Sequence, residues 1–213
     1  MRTAEVQDRL NRLGFDAGAT DGVEGPLTRT AVARFQLACA LPGHNLVVDG
    51  LPGPRTWAAL ADVGDGRLAP HFHVSELRTR TRSGGPKDGS CWVHRDLLRG
   101  LEALRAHVGR PLPVVSGFRD VAHNRRVGGA ARSQHTFGAA PELDRLASVP
   151  GRINGRAARI AGRAADIPRD YVRLDDAADL GLFAGLGHRS GWVTHVDVRE
   201  GVPATRPTIW HYG

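Results

Sequence analysis

The octapeptide DGVEGPLT at Asp21–Thr28 returns as DGLPGPRT at Asp49–Thr56, and nothing else constrains the fold of this 213-residue chain so strongly. Such self-similarity marks two copies of one small supersecondary unit. In each copy Asp-Gly and Gly-Pro set tight turns, and the Pro and Thr after the second glycine stand where a helix starts. The flanking residues repeat with helical period. Val6, Leu10 and Leu13 share one face, Val32, Phe35 and Gln36 a second, and Trp57 and Leu60 mark a third. Residues 1–62 therefore read as a small three-helix bundle with a modest core. Residues 63–71, VGDGRLAPH, are rich in Gly, Asp and Pro without helical period and read as a linker.

Residues 72–213 carry a different pattern. Asp96–Gly109 is an amphipathic helix with Leu97, Leu101, Leu104 and Val108 on one side. PLPVVSGFR reads as a buried strand running into a polar turn, LDDAADLGLF as a helix, and GWVTHVDVR as a strand of near-strict alternation. Helices and strands in irregular order predict an α+β domain with a mainly antiparallel sheet.

Composition removes several function classes. No run approaches the ~20 apolar residues of a membrane helix, so membrane insertion is not expected. The first fifteen residues lack the apolar core of a secretory signal. The net charge is +7, and of 29 basic residues only Lys87 is lysine. Attraction to a polyanion and a GC-rich genome that encodes arginine freely are competing accounts of that. No basic run of five and no aromatic-interleaved RNA motif is present, so nucleic acid is not the expected partner. Cys39 and Cys91 are too few and too far apart for a disulfide framework or a CxxC site. Cys39 follows an apolar helix and reads as core.

The residues with chemistry are His135 in SQHTFG, Asp166 in GRAADIP and His195 in THVDVR. Zinc hydrolases use three ligands of the His/Asp/Glu type and keep one position open. The spacing here is not a helical HExxH, so spacing alone carries little.

Longer segments resemble known families. VQDRLNRLGF, DGVEGPLTRTAVARFQ and DGLPGPRTWAAL, within residues 3–61, resemble the peptidoglycan-binding domain type 1, a three-helix wall-binding module. That resemblance implies peptidoglycan as partner, with Asp21, Asp49 and Trp57 as loose ligand candidates. SGFRDVAHNRRVGGAARSQHTFG, GRAADI and THVDVR, with FHVSELRTRT and LEALRAHVGRPLPVVSGFR upstream, resemble the metallopeptidase M15 family over residues 72–200. These are zinc D-alanyl-D-alanine carboxypeptidases and related peptidoglycan endopeptidases. The resemblance implies Zn2+ held by His135, Asp166 and His195, Arg119 as the substrate-stabilising arginine, and Ser133 as a substrate contact.

One departure stands out. The family places its Asp seven positions after the His, where this chain has Glu142; Asp166 lies 31 positions on. Asp166 is preferred because GRAADI reproduces the family segment, which makes residues 139–162 an insertion. Arg145, Arg152, Arg156, Arg159 and the neighbouring Arg163 suit either a basic lid or a solvated excursion. On the GWVTHVDVR strand Asp197 and Arg199 share the side of His195. Asp197 is the preferred general base or ligand-orienting partner, with His211 its rival, and Arg199 joins Ser133 as a substrate contact. The implied activity is zinc-dependent cleavage of wall stem peptides or cross-bridges by a monomer, delivered in the manner of a phage lysin or secreted with its signal removed. The alternative is a non-catalytic wall-binding protein with a degenerate or structural zinc site.

Overall fold

The computed structural model describes residues 2–77, 93–119, 121–131, 133–136, 163–199 and 201–212. Glu142, Cys91 and the 139–162 insertion lie outside the described residues.

Three helices open the chain: α1 (Thr3–Arg12), α2 (Pro26–Ala38) and α3 (Pro54–Val63). The two Gly-Pro pairs of the repeat start α2 and α3, with Gly25 and Gly53 at the N-cap and proline in the first turn. Proline is tolerated there because that amide has no intrahelical acceptor. Val6, Leu10, Phe15, Val32, Phe35 and Leu60 fill the core, where Phe15 and Phe35 meet edge to face at 5.8 Å.

The repeat has an atomic counterpart that periodicity did not reveal. Gln7 donates from Nε2 to Asp21 Oδ1, the Val23 carbonyl and Thr28 Oγ1, and accepts from the Gly22 amide. Gln36 repeats this with Asp49 Oδ1, the Leu51 carbonyl, Thr56 Oγ1 and the Gly50 amide. Asp21 and Asp49 thus spend an oxygen on pinning their own loops, which weakens their standing as ligand candidates. Trp57 is partly buried against the core. Gln36→Ala leaves several buried partners unmatched and is expected to lower stability by roughly 2–3 kcal/mol, read from urea unfolding.

Past α3 the chain stays packed. β1 (Arg67–Ala69) pairs antiparallel with β2 (Phe72–His73), and Leu68 and Ala69 are buried. The Leu68 carbonyl accepts from the Ala40 amide at 2.8 Å. Then come α4 (Val74–Leu77) and α5 (Arg95–Val108). Arg95 Nη1 donates to the Leu46 carbonyl at 2.7 Å, and the buried apolar side chains of α1–α3 and of α5 belong to one continuous cluster.

The rest supports the site: α6 (Val121–Arg126), β3 (Ala164–Asp166), α7 (Leu174–Asp179), β4 (Gly185–Arg189), β5 (Trp192–Asp197) and β6 (Thr208–His211). The last four strands form one sheet in the order β3-β5-β4-β6. The α+β class is as expected, but the sheet is mixed, because β6 runs parallel to β4. The chain reverses after β5 yet docks on the free edge of β4, itself antiparallel to β5, so the new strand matches the direction of β4. Pro111–Arg119 is not a strand: Ser116 makes a single bridge to Asp166. Pro111 and Pro113 lack the amide hydrogens a ladder requires. Cys39 is a buried free thiol whose pKa burial pushes up. Among the described residues no helix is long and apolar enough to cross a membrane.

Candidate metal centre

Two strands and one turn bring three side chains together. Asp166 on β3 lies directly opposite His195 on β5 in the antiparallel register, so their side chains share one face. His135 arrives from the turn Ser133–Thr136, closed by the Thr136 amide and hydroxyl, both donating to the Ser133 carbonyl at 3.0 Å. That turn is tied to its surroundings by Arg119 N–H to the His135 carbonyl and Arg163 N–H to the Gln134 carbonyl. One atom from each of His135, Asp166 and His195 falls within 4.8 Å of the others.

The outer ring nitrogens decide which inner ones are available. His135 Nδ1 sits 2.8 Å from the Gly117 carbonyl, an acceptor only, so Nδ1 carries the proton and Nε2 faces inward with its lone pair. His195 Nε2 faces the Asp197 carboxylate at 3.4 Å, which directs the Nδ1 lone pair inward. His135 Nε2 and His195 Nδ1 are 3.2 Å apart and lie 3.1 and 2.8 Å from Asp166 Oδ1. Two lone pairs and a carboxylate oxygen converging on one point suit a divalent cation of the zinc type.

The same geometry sets the charges. When the inward nitrogens carry protons in place of a cation, burial pushes the Asp166 carboxyl up, but hydrogen bonds from His135 and His195 outweigh it and hold the group below the usual range. Burial lowers His195, while hydrogen bonds to Asp166 and Asp197 reverse the balance and raise it. Arg119 donates from Nη2 to Asp166 Oδ2 and from Nε to Ser116 Oγ at 2.9 Å, leaving Asp166 Oδ1 for the histidines.

Asp197 departs from the expectation of a base in the cleft. It is 0% exposed, behind His195, and held by both Nε and Nη2 of Arg199. Gly185 makes its place: a Cβ there would lie 2.4 Å from Asp197 Oδ2. A carboxylate against the outer nitrogen of a ligating imidazole orients that ligand. Burial raises the Asp197 pKa, yet bonds from Arg199 and His195 prevail and bring it from 3.8 to about 2. The folded value is depressed, so in the metal-free protein this contribution is present above pH ~4 and lost as pH falls toward 2. Asp197→Asn is expected to weaken zinc binding ~10–100-fold and to flatten the acid-side loss of stability. Competitive chelation and unfolding at pH 2–6 check the two effects.

The trio opens onto a cleft of about 770 Å³. Arg119, Ser133 and Arg199 line it, as do Arg169, Arg189, Trp210 and Tyr212, none of which was singled out from the sequence. Ser133 Oγ also accepts from the His135 amide at 3.3 Å. His211 is not a lining residue: its ring packs on His188 at 5.2 Å while its neighbours Trp210 and Tyr212 face the cleft. Alternation along the final strand was the available signal. Arg163, the described member of the proposed arginine lid, is buried and donates to the Val198 carbonyl.

Comparison with known proteins follows the same division of the chain. Residues 2–60 match the family described as "Putative peptidoglycan binding domain", and residues 70–154 match Peptidase M15. That second match contains Arg119, Ser133 and His135 and ends before Asp166 and His195. A zinc D-Ala-D-Ala carboxypeptidase of Streptomyces albus G is 36% identical over 131 residues, 59% of this chain and 49% of that protein. The chain thus spans about half the length of this relative. The fold, the His-Asp-His cluster and these matches agree: the chain is similar to the peptidoglycan-binding-domain family over residues 2–60 and to the peptidase M15 family over residues 70–154.

Proposed function

We propose that this protein is a zinc-dependent peptidase of bacterial peptidoglycan, with residues 1–62 as its wall-binding part, joined through residues 63–71 to residues 72–213 as its peptidase part. The observation that carries the reading is the convergence of His135 Nε2, Asp166 Oδ1 and His195 Nδ1 on the wall of an arginine-lined cleft. His135, Asp166 and His195 would hold the metal. Bound there, zinc supplies Lewis acidity that polarises a carbonyl and makes water a better nucleophile at neutral pH.

The chain's own residues supply the rest. Arg119, fixed by Ser116 and Asp166, presents a planar cation suited to a substrate carboxylate or to the oxygen that gains charge during amide hydrolysis. Arg199 is braced from behind by Asp197 and lies over the Trp210 ring at 5.0 Å, which fixes a second cation at the cleft. Ser133 offers a hydroxyl in the same cleft. Asp197 positions His195 and Arg199 rather than meeting substrate. A wall-binding part raises the local concentration of the peptidase at an insoluble polymer without altering its chemistry.

The test is clearing of a suspension of purified cell walls. The reading expects turbidity to fall, the fall to stop with a chelator, and zinc to restore it. Protein that pellets with walls and binds zinc yet never clears them would instead be a non-catalytic wall binder with a structural metal.

A further inference from the structure

The last strand of the sheet lays two aromatic side chains along the cleft, and the backbone is shaped to receive them. In the parallel ladder Trp210 lies opposite Gly187. A Cβ at Gly187 would meet Tyr212 Cε2 at 2.6 Å and Trp210 Nε1 at 2.9 Å, so both rings occupy the space a side chain would take. The strand is anchored by the Tyr212 amide donating to the His188 carbonyl at 2.9 Å. Trp210 is 5.2 Å from the His195 ring and 6.1 Å from Tyr212, which places the phenol one ring beyond a ligand of the metal centre.

We propose that Tyr212 is a catalytic residue whose phenolic O–H donates a hydrogen bond to the substrate peptide in the cleft, with Trp210 positioning it. The proposal rests on the peptidase reading above. Its chemistry follows from the inventory of groups present. Among the described residues that line the cleft, none besides the ligand trio carries a carboxylate or an imidazole. The neighbouring cations Arg119 and Arg199 each commit part of their guanidinium to a carboxylate, Asp166 and Asp197, and keep the rest for the cleft. Tyr212 is 38% exposed and lines the cleft. The Trp210 ring packs edge to face on the phenol ring and fixes its orientation. A phenol carries a proton of its own, so Tyr212 can donate it to a substrate oxygen. Burial pushes the phenol's pKa up, which keeps that proton in place at neutral pH. A donor held by rings and backbone, aimed where an oxygen gains charge, is worth more than a mobile one because it needs no reorganisation.

The experiment compares wild type with Tyr212→Phe and Trp210→Phe in two measurements. Turnover of a synthetic wall stem peptide is followed by liberated amine. Binding of the same peptide to the chelator-treated, metal-free protein is followed by calorimetry, where no turnover interferes. Tyr212→Phe is expected to lower kcat ~10–100-fold and weaken metal-free binding several-fold, with zinc stoichiometry unchanged. Trp210→Phe is expected to lower kcat by less, with the same zinc content, since the phenol survives but loses the indole that packs against it. Wild-type binding and turnover that Tyr212→Phe leaves intact would overturn the role of Tyr212 while sparing the peptidase reading. A wild type that neither binds nor cleaves the peptide would overturn both. Loss of zinc from Tyr212→Phe would also overturn it, by making the ring a support of the metal centre.

Discussion

Asp166→Ala is expected to strip the protein of zinc and of wall-clearing activity together. Asp166 would contribute the anionic ligand of the trio, and its Oδ1 is the point on which both inward-facing imidazole nitrogens converge. Without it two neutral imidazoles remain, too few for a three-ligand catalytic site. The metal's share of transition-state stabilisation is several kcal/mol, so its loss corresponds to ~1000-fold or more in rate. Metal analysis after dialysis and the clearing assay read the two losses, and circular dichroism shows whether the fold survives removal of an acceptor shared by His135, His195 and Arg119. Glu142→Ala is the matched control and is expected to retain zinc. If Glu142→Ala loses the metal and Asp166→Ala keeps it, the carboxylate ligand stands seven residues after His135 instead.

Arg119→Ala is expected to lower kcat/KM ~100–1000-fold, the usual cost of one donor aimed at developing charge. Its guanidinium is fixed at two points, by Ser116 Oγ and by Asp166 Oδ2, and lines the cleft. Two roles are therefore built into one side chain, and zinc affinity separates them. A substrate-facing role leaves zinc affinity within a few-fold of wild type while catalysis collapses. A role confined to bracing Asp166 weakens zinc first, and excess zinc then restores turnover. Arg119→Lys keeps the charge but loses the planar fork, so it is expected to recover little of the activity.

Much of this architecture was legible in the sequence because its causes are local. Gly-Pro pairs start helices wherever they fall, and the apolar period of α1, α2 and α5 names their buried faces without reference to the rest of the chain. The alternation of Trp192–Asp197 likewise announced β5. What sequence patterns missed depends on partners distant along the chain. Alternation puts Asp197 on the side of His195, but only the bracing by Arg199 and the hollow at Gly185 show that it lies behind that imidazole rather than in the cleft. The parallel placement of β6 follows from the choice of the β4 edge over that of β5, and with it came Trp210 and Tyr212. His211 looked a plausible rival base as a lone imidazole near the C-terminus, yet strand alternation turns it onto His188. Gln7 and Gln36 fell on the helical faces of the repeat, but their role needed the 3-D loops they fasten.

Mass analysis of the fragments released from purified peptidoglycan tests the central claim most directly. The prediction is hydrolysis confined to peptide bonds of the stem peptides or cross-bridges, with each cleavage adding one water and leaving a new amine and carboxylate. The glycan strands should remain intact. The same products should be absent from digests with chelator-treated protein and with Asp166→Ala, and return when zinc is added to the chelated wild type. Peptide cleavage that persists without metal and in Asp166→Ala would contradict the account, as would release of glycan fragments with every peptide bond untouched.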